Sequence, residues 1–205
     1  MTTYSIPNSD CRMVVGVPSE DPELWAAYLA GALDTYRKFG VESALEFEEI
    51  RDGSSTSMFL VAISPDGEVV GGVRAQGPYA VADDSHALLE WDGCPGQADL
   101  YDMIADRIPE GVVEMKAAWV SDRCPDRKAI THSLARIPRI AVMSRLDARY
   151  VIATAGTDPV IKLWVSAGGV IASHIPTAPY PSAQYHATPI WWDRSDFVDD
   201  PAIAA

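Results

Sequence analysis

Apolar residues recur along the chain with two different periods, and each period predicts one kind of element. In the segment 19–40 they fall at helical spacing, at Leu24, Tyr28, Leu29, Ala32 and Tyr36. Pro22 lies in the first turn of this segment and Gly40 just past its end. These positions are typical of the start and stop of a helix, so the segment predicts an amphipathic helix.

The clearest strand signal is the segment 57–81, in which two β-rich runs flank the sequence Ser-Pro-Asp-Gly at 64–67. Proline, aspartate and glycine in this order favour a tight turn, so we expect a β-hairpin here. A short strand is predicted before it at 11–17, and a short helix at 43–53 that ends at Gly53.

The second half of the chain alternates between the two patterns. It predicts helices at 97–108, from Asp126 onward and at 158–169, and strands at 111–121, 149–155, 170–175 and 183–192, with a further extended piece at 86–91. Pro138 is expected to kink or restart the helix that begins near Asp126. The element order predicts an α/β (α+β) fold with a mixed, mostly antiparallel central sheet flanked by helices.

The strand predicted at 111–121 has period-two alternation. Val113, Met115, Ala117 and Trp119 are expected on one face, and Glu114, Lys116, Ala118 and Val120 on the other.

Composition indicates one globular domain over 1–195 and an acidic tail over 196–205. Of the 205 residues, 48% are hydrophobic and 22% are charged, which is ordinary for a globular protein. No stretch resembles a signal peptide or a membrane span, which favours a cytoplasmic protein. The cysteines Cys11, Cys94 and Cys124 and the histidines lack metal-type spacing, so no metal and no disulfide framework are expected.

The net charge of −13 argues against binding to nucleic acid or to an anionic membrane surface. It favours a cationic partner or serves only to keep the protein dissolved. One segment departs from this balance. Residues 123–149 contain seven basic and two acidic side chains, a local charge of +5. This segment is suited to an anion, or else it neutralises acidic neighbours.

The basic segment begins where a strand is predicted to run into a helix. Free backbone N–H groups and the helix dipole make such a helix start a site for phosphate, and Arg123, Arg127 and Lys128 surround it. Cys124 also lies there, in a setting that lowers a thiol pKa. It has no visible His/Asn partner pattern, so a bystander role is favoured over a nucleophile.

The element order and this strand-to-helix loop together resemble the GCN5-related N-acetyltransferase (GNAT) superfamily over about residues 12–193. The sequence "DRKAITHSL" at 126–134 matches the position of the family's pyrophosphate loop, Gln/Arg-x-x-Gly-x-Gly/Ala. Asp126 stands at its first position, and Ala129 and Thr131 stand where glycines are usual. The insert at 80–111 and the "VGGVRAQG" strand are also similar to the N-acyl amino acid and acyl-homoserine-lactone synthase branch.

The resemblance implies transfer of an acyl group, most simply from acetyl-CoA or another acyl-CoA, to an amine-bearing small molecule or a protein lysine. It implies Glu114 as general base, against the alternative of an ion pair with Lys116. Trp164 or Val165 falls where the family has the tyrosine that acts as general acid toward the thiolate, and Tyr185 is the candidate substitute for that role. The cofactor-binding residues it implies are Val120, Arg123, Arg127, Lys128, Ala129, Ile130, Thr131 and His132.

Substrate contacts are expected from Arg74 and Trp119. Arg74 would bind an acceptor carboxylate or pair with a nearby acid, and Trp119 is alternatively a core residue. Three further hypotheses remain open: a long-chain N-acyl amino acid synthase, a GNAT-like sensor or scaffold that binds coenzyme A without turnover, and a basic helix that only docks a protein. The resemblance also leaves a homodimer open.

Overall fold

The computed structural model describes residues 2–197. Their strands form one eight-stranded mixed sheet in the order β1-β2-β3-β4-β5-β6-β8-β7. The strands are β1 (Thr3–Ser5), β2 (Arg12–Gly16), β3 (Met58–Ile63), β4 (Val69–Gln76), β5 (Val112–Val120), β6 (Tyr150–Ala155), β7 (Val170–Ile171) and β8 (Thr188–Asp193). β5 and β6 pair in parallel, whereas β1–β2, β2–β3, β3–β4, β6–β8 and β7–β8 pair antiparallel. The predicted fold class is confirmed.

The helices are α1 (Pro22–Lys38), α2 (Phe47–Ile50), α3 (Ala87–Glu90), α4 (Gln97–Ala105), α5 (Arg127–Arg145) and α6 (Asp158–Ser166). Short 3-10 helices lie at Glu42–Leu45, Ala82–Asp84, Ile108–Glu110 and Arg194–Phe197. No helix in the described part of the chain is long and apolar enough to span a membrane.

The chain divides into two compact units. The first comprises residues up to Gln76 together with Lys116–Pro138, and the second comprises Gly77–Met115 together with the chain from Arg139 onward. The predicted single domain over 1–195 therefore stays a prediction. The 3-10 helix Arg194–Phe197 extends into the predicted tail, whose remaining residues, 198–205, lie outside the described residues.

The core of the first unit forms where the apolar face of α1 packs on β3. Tyr28 and Trp25 stack with ring centroids 5.1 Å apart, and Phe59 from β3 lies against both rings. The hairpin of β3 and β4 turns through residues 64–67, as its sequence predicts, and Gly67 N donates to Ser64 O at 2.9 Å.

The core of the second unit gathers buried residues of the insert, β5, β6 and the segment 172–191. Trp91 is fully buried in it and donates its indole N–H to Pro176 O at 2.8 Å. Trp164 on α6 packs edge-on against Trp192 of β8, at 5.4 Å between ring centroids.

Several predicted elements differ from the structure. The segment 86–91 contains the helix α3 rather than an extended piece, because Leu89 N donates to His86 O and Trp91 N donates to Ala87 O. α5 continues through Pro138, so the predicted restart is wrong; the boundary of the two units falls at this residue.

Two predicted strands are shorter than expected. The strand at 170–175 stops after Ile171, where Ser173 N donates to Ile171 O and the chain turns. The strand at 183–192 begins only at Thr188, because Tyr185 N closes a turn onto Ser182 O. Strand β1 carries no clear pattern over its three residues and was not predicted.

Candidate functional site

The chain passes from β5 into α5 through residues 121–126, which we call the corner. Ser121 N donates to Val70 O at 2.8 Å, which fixes the start of the corner to β4. Two successive turns follow, in which Cys124 N donates to Ser121 O and Arg127 N donates to Cys124 O, each at 3.3 Å. The corner is therefore a hydrogen-bonded turn that sets the direction in which α5 begins.

The first turn of α5 offers two backbone N–H groups to a ligand. The first main-chain bond of helical spacing runs from Ile130 N to Asp126 O, at 3.0 Å. The N–H groups of Lys128 and Ala129 precede that bond and so have no acceptor within the helix. Those of Ile130, Thr131 and His132 lie at or beyond it. The backbone part of the predicted phosphate site is thereby narrowed to Lys128 and Ala129.

The cations of the corner differ in their availability. Arg123 and Lys128 are exposed, and neither has an ion-pair partner among residues 2–197. Arg127, by contrast, places Nη1 2.8 Å from Asp122 Oδ1, and the other carboxylate oxygen of Asp122 pairs with Lys38. Two of the three predicted cations are thus available to an anion, while Arg127 must first exchange its partner.

Two polar side chains at the predicted loop positions form hydrogen bonds within the chain. Asp126 Oδ2 accepts a hydrogen bond from Ser9 Oγ at 2.7 Å. Thr131 Oγ1 donates to Arg127 O at 2.8 Å, a bond within the helix itself. The Thr131 hydroxyl proton and one carboxylate oxygen of Asp126 are therefore already engaged within the protein.

The expectation for Cys124 is corrected. Burial raises the pKa of its thiol, and the neighbouring Cys11 adds to that rise, although a hydrogen bond from the backbone of Asp126 opposes it. The cations of the corner are exposed, so they do not offset the loss of hydration. The bystander alternative agrees with this result.

The last residues of β5 are shaped by α1. Ala117 has a φ of 51°, which breaks the strand alternation, and its carbonyl accepts a hydrogen bond from Tyr28 OH at 2.8 Å. Burial raises the pKa of this hydroxyl, so it remains a donor. Trp119 is buried against α1, where a Cβ on Gly31 would lie 2.0 Å from its ring. Of the two alternatives for Trp119, its packing favours the core residue.

Arg74 on β4 is a buried cation without an acidic partner in the described chain. Its side chain is 2% exposed, and Nη1 donates to Thr56 Oγ1 at 3.2 Å and to Gln76 Oε1 at 3.3 Å. Nε has no hydrogen-bond acceptor among residues 2–197. A buried guanidinium normally has a carboxylate partner, so this arrangement suits an anionic ligand group. The alternative of a neighbouring acid is wrong for the described residues.

Glu114 lies in the second unit and is fully buried. Its Oε2 accepts hydrogen bonds from Tyr79 OH at 2.8 Å, Ser85 Oγ at 2.9 Å and Ala87 N at 3.3 Å. These are the contacts of a carboxylate that organises its surroundings. The sequence offers no local signal for them, since Ser85 and Tyr79 precede Glu114 by 29 and 35 residues.

In the second unit, strand β6 extends beyond its pairing with β5. Parallel pairing of β6 with β5 covers Tyr150–Ile152 and stops there, while β6 continues to Ala155 paired with β8 alone in the described chain. Tyr185 is half-buried beside Gly156, directly after β6, with its Cβ 3.5 Å from the position of a Cβ on that glycine. The predicted acid is thus placed at the end of this strand.

The chain has relatives of similar sequence and resembles solved structures in its fold. No family model matches the chain. The uncharacterized proteins Mb1391c of Mycobacterium bovis and Rv1356c of Mycobacterium tuberculosis are each 47% identical to it over 189 residues, which cover 92% of this chain and 71% of theirs.

Solved structures of low sequence identity share the fold. FeeM, an N-acyl amino acid synthase from uncultured soil microbes, matches 96% of this chain and 94% of its own, with a TM-score of 0.59 and 11% identity. The aminoglycoside acetyltransferase AAC(6')-Ib, solved with coenzyme A, matches 93% of this chain and 99% of its own, with a TM-score of 0.56 and 13% identity. The predicted GNAT resemblance is confirmed for the fold.

Proposed function

Because the chain belongs to the family of Mb1391c and Rv1356c and has the GNAT fold, we propose that it transfers an acyl group from a coenzyme A thioester to an amine. The amine nitrogen attacks the thioester carbonyl carbon, the C–S bond breaks, and the amine loses a proton. Coenzyme A leaves as a thiolate. One observation carries the proposal: the corner combines two free N–H groups with two exposed cations that have no ion-pair partner in the described chain.

The corner would hold the phosphates of the cofactor. The N–H groups of Lys128 and Ala129 would donate to pyrophosphate oxygens, aided by the positive end of the α5 dipole. The side chains of Arg123 and Lys128 would add charge, with His132 on the exposed face of the same helix. The Cβ atoms of Ala129 and Thr131 narrow the approach to the backbone, so we expect weaker binding than glycines would permit.

The remaining cofactor contacts would come from strand edges. The backbone of Val120, at the end of β5, would pair with the amides of the pantetheine arm. Tyr185, at the end of β6, would protonate the departing thiolate. Glu114 remains the candidate base, although its burial and its three donors support an organising role better than direct contact with the amine.

Calorimetric titration tests cofactor binding. The protein is titrated with acetyl-CoA, free coenzyme A and a long-chain acyl-CoA, each compared with the double variant Arg123→Ala/Lys128→Ala. We expect binding that the double variant weakens at least tenfold and that Lys162→Ala, which removes an exposed lysine of α6, leaves unchanged. Equal affinity in the wild type and the double variant would rule out the corner as the phosphate site.

The buried guanidinium supports an acceptor that carries a carboxylate beside its amine. Arg74 has no acidic partner among residues 2–197, and the similarity to FeeM, an N-acyl amino acid synthase, points to the same class. This choice departs from the cationic acceptor that the net charge favours.

A matched pair of acceptors, an amino acid and the amine left by its decarboxylation, tests this choice. Arg74→Gln should raise KM for the amino acid at least tenfold and leave KM for the amine unchanged. An equal effect on both would indicate that Arg74 only stabilises the fold.

A second candidate function is binding of coenzyme A without turnover. It is favoured by the hydroxyl of Thr131, which is bound to the helix backbone at a position where the resemblance leads us to expect glycine. Release of coenzyme A thiol in the presence of an amine screen separates the two functions. Saturable binding without thiol release would support the second.

Glu114→Gln tests whether Glu114 is the general base. Loss of turnover with retained coenzyme A binding would assign that role, and unchanged turnover would assign the organising role.

A further inference from the structure

A histidine and two glutamates meet inside the core of the second unit. His86 is 7% exposed, Glu90 is 6% exposed and Glu114 is fully buried. Each offers one nitrogen or oxygen that can bind a metal, and these three atoms all lie within 4.8 Å of one another. We call these residues the His-Glu-Glu cluster. The cluster lies in the second unit and shares Glu114 with the site proposed above, where a ligand role would fit the organising alternative for this residue rather than the base.

The spacing within the cluster suits a metal ion. His86 and Glu90 are four residues apart at α3 and place Nδ1 3.3 Å from Oε1. In a tetrahedral zinc site, with bonds of about 2.0–2.2 Å to nitrogen and oxygen, two ligand atoms lie about 3.4 Å apart. The pair therefore already has the required separation. The third ligand atom lies within 4.8 Å of both, so it reaches the tetrahedral separation by a movement of at most about 1.4 Å.

The cluster also has outer contacts that orient one of its ligands. The donors to Glu114 Oε2 are the Tyr79 hydroxyl, the Ser85 hydroxyl and the Ala87 amide. Bonds of this kind fix the rotamer of a ligating carboxylate and commonly accompany protein metal sites. All three donors are neutral groups.

The charge of the cluster favours a cation. The ligand atoms of Glu90 and Glu114 lie within 4.8 Å of each other. A divalent cation bound between them would attract both carboxylates. An imidazole among the ligands favours a first-row transition metal over magnesium or calcium, which prefer all-oxygen sites.

We propose that the His-Glu-Glu cluster binds one divalent transition metal, of the Zn²⁺ class, as a structural ion of the second unit. Two of its ligands come from the insert and the third from β5, so the ion ties the start of the insert to the central sheet. This proposal does not depend on the acyl-transfer function, because its readout is metal binding and not turnover.

Metal titration of the full chain tests the proposal. The protein is freed of metal with a chelator and titrated with Zn²⁺ by calorimetry and with Co²⁺ by visible absorption. We expect one equivalent per chain, visible absorption typical of nitrogen and oxygen ligands around Co²⁺, and a higher melting temperature with metal. His86→Ala should abolish the Co²⁺ absorption, whereas His174→Ala, which removes an exposed histidine of the same unit, should leave it unchanged.

A milder variant covers the case in which His86→Ala does not fold. Tyr79→Phe removes one donor to Glu114 while keeping the ring, and loss of such an outer contact lowers metal affinity by about 10–100-fold. Absence of stoichiometric binding to the wild type would overturn the proposal. Binding that neither His86→Ala nor Tyr79→Phe affects would overturn it as well.

Discussion

Replacement of Asp193 by asparagine tests how much one ion pair stabilises the second unit. Arg149 Nε and Nη2 contact the two oxygens of Asp193 at 3.0 and 2.9 Å, a two-pronged arrangement that joins β6 to the end of β8. Ser195 adds bonds from its N–H and its hydroxyl to Oδ1. Burial alone would raise the pKa of Asp193, but these hydrogen bonds outweigh it and lower the pKa from 3.8 to about 2.

The size of the effect follows from that difference in pKa. A carboxyl group with a pKa of 3.8 when unfolded and about 2 when folded stabilises the folded state by at most about 2.4 kcal/mol at pH 7. Solvent screens a pair at the protein surface, so we expect Asp193→Asn to lower the free energy of unfolding by about 1–2 kcal/mol.

The pH dependence of the effect has a definite sign. Because the pKa is lower in the folded state, the stabilisation is complete above the unfolded pKa and disappears as the pH falls through the folded one. At pH 3 about half of the difference between wild type and variant should remain. Urea unfolding at pH 7 and pH 3 measures it, with Asp147→Asn as control, since Asp147 is 99% exposed and lies 3.4 Å from Arg194.

Two results would contradict a stabilising role of the ionised Asp193 carboxylate. An equal loss of stability at pH 7 and at pH 3 would mean that the ionised carboxylate is not its source. A loss no larger than that of the Asp147→Asn control at pH 7 would mean that solvent screens the pair completely, despite its geometry.

Three further predictions concern the first unit. Asp122→Asn should bind acetyl-CoA about 2–5-fold more tightly, because it releases Arg127 for the phosphates. Calorimetry measures this affinity beside that of Glu20→Gln, an exposed site with the same change of charge. An equal gain in affinity in both variants would contradict the prediction. Gly31→Ala should destabilise the protein by about 1–3 kcal/mol in urea, since its Cβ meets the Trp119 ring; stabilisation, as at an open helix site, would show that the ring moves freely. Tyr28→Phe should cost about 1 kcal/mol by the same measurement, and no loss would mean that the Ala117 carbonyl finds another donor.

Local patterns predicted the elements that depend on neighbours in the chain. The turn at 64–67, the helical spacing of α1 and the passage from β5 into α5 all follow from residues within a few positions of each other. The segment 86–91 shows the limit of such patterns. Its six residues fit both an alternating and a helical assignment, and the structure makes them helical, with Ala87, Leu88 and Trp91 turned into the core.

The sequence predicted where the candidate site lies in the fold, but not which contacts its side chains make. The sequence located the basic corner. It did not show that Asp122 forms an ion pair with Arg127, or that burial raises the pKa of the Cys124 thiol. It left Arg74 open between an acceptor carboxylate and a nearby acid, and the structure adds burial and the absence of an acidic partner among residues 2–197, which favour the first.

The order of the elements, the turn of the hairpin and the basic corner can be predicted from the chain alone, because periodicity, turn chemistry and charge act over a few residues. Only the tertiary structure decided that Glu114 is fully buried, that Tyr79 and Ser85 bind it, and that His86 and Glu90 lie beside it. These groups lie tens of residues apart along the chain. Their distances, burial and charge balance arise only when the insert folds against β5, and no local pattern encodes that packing.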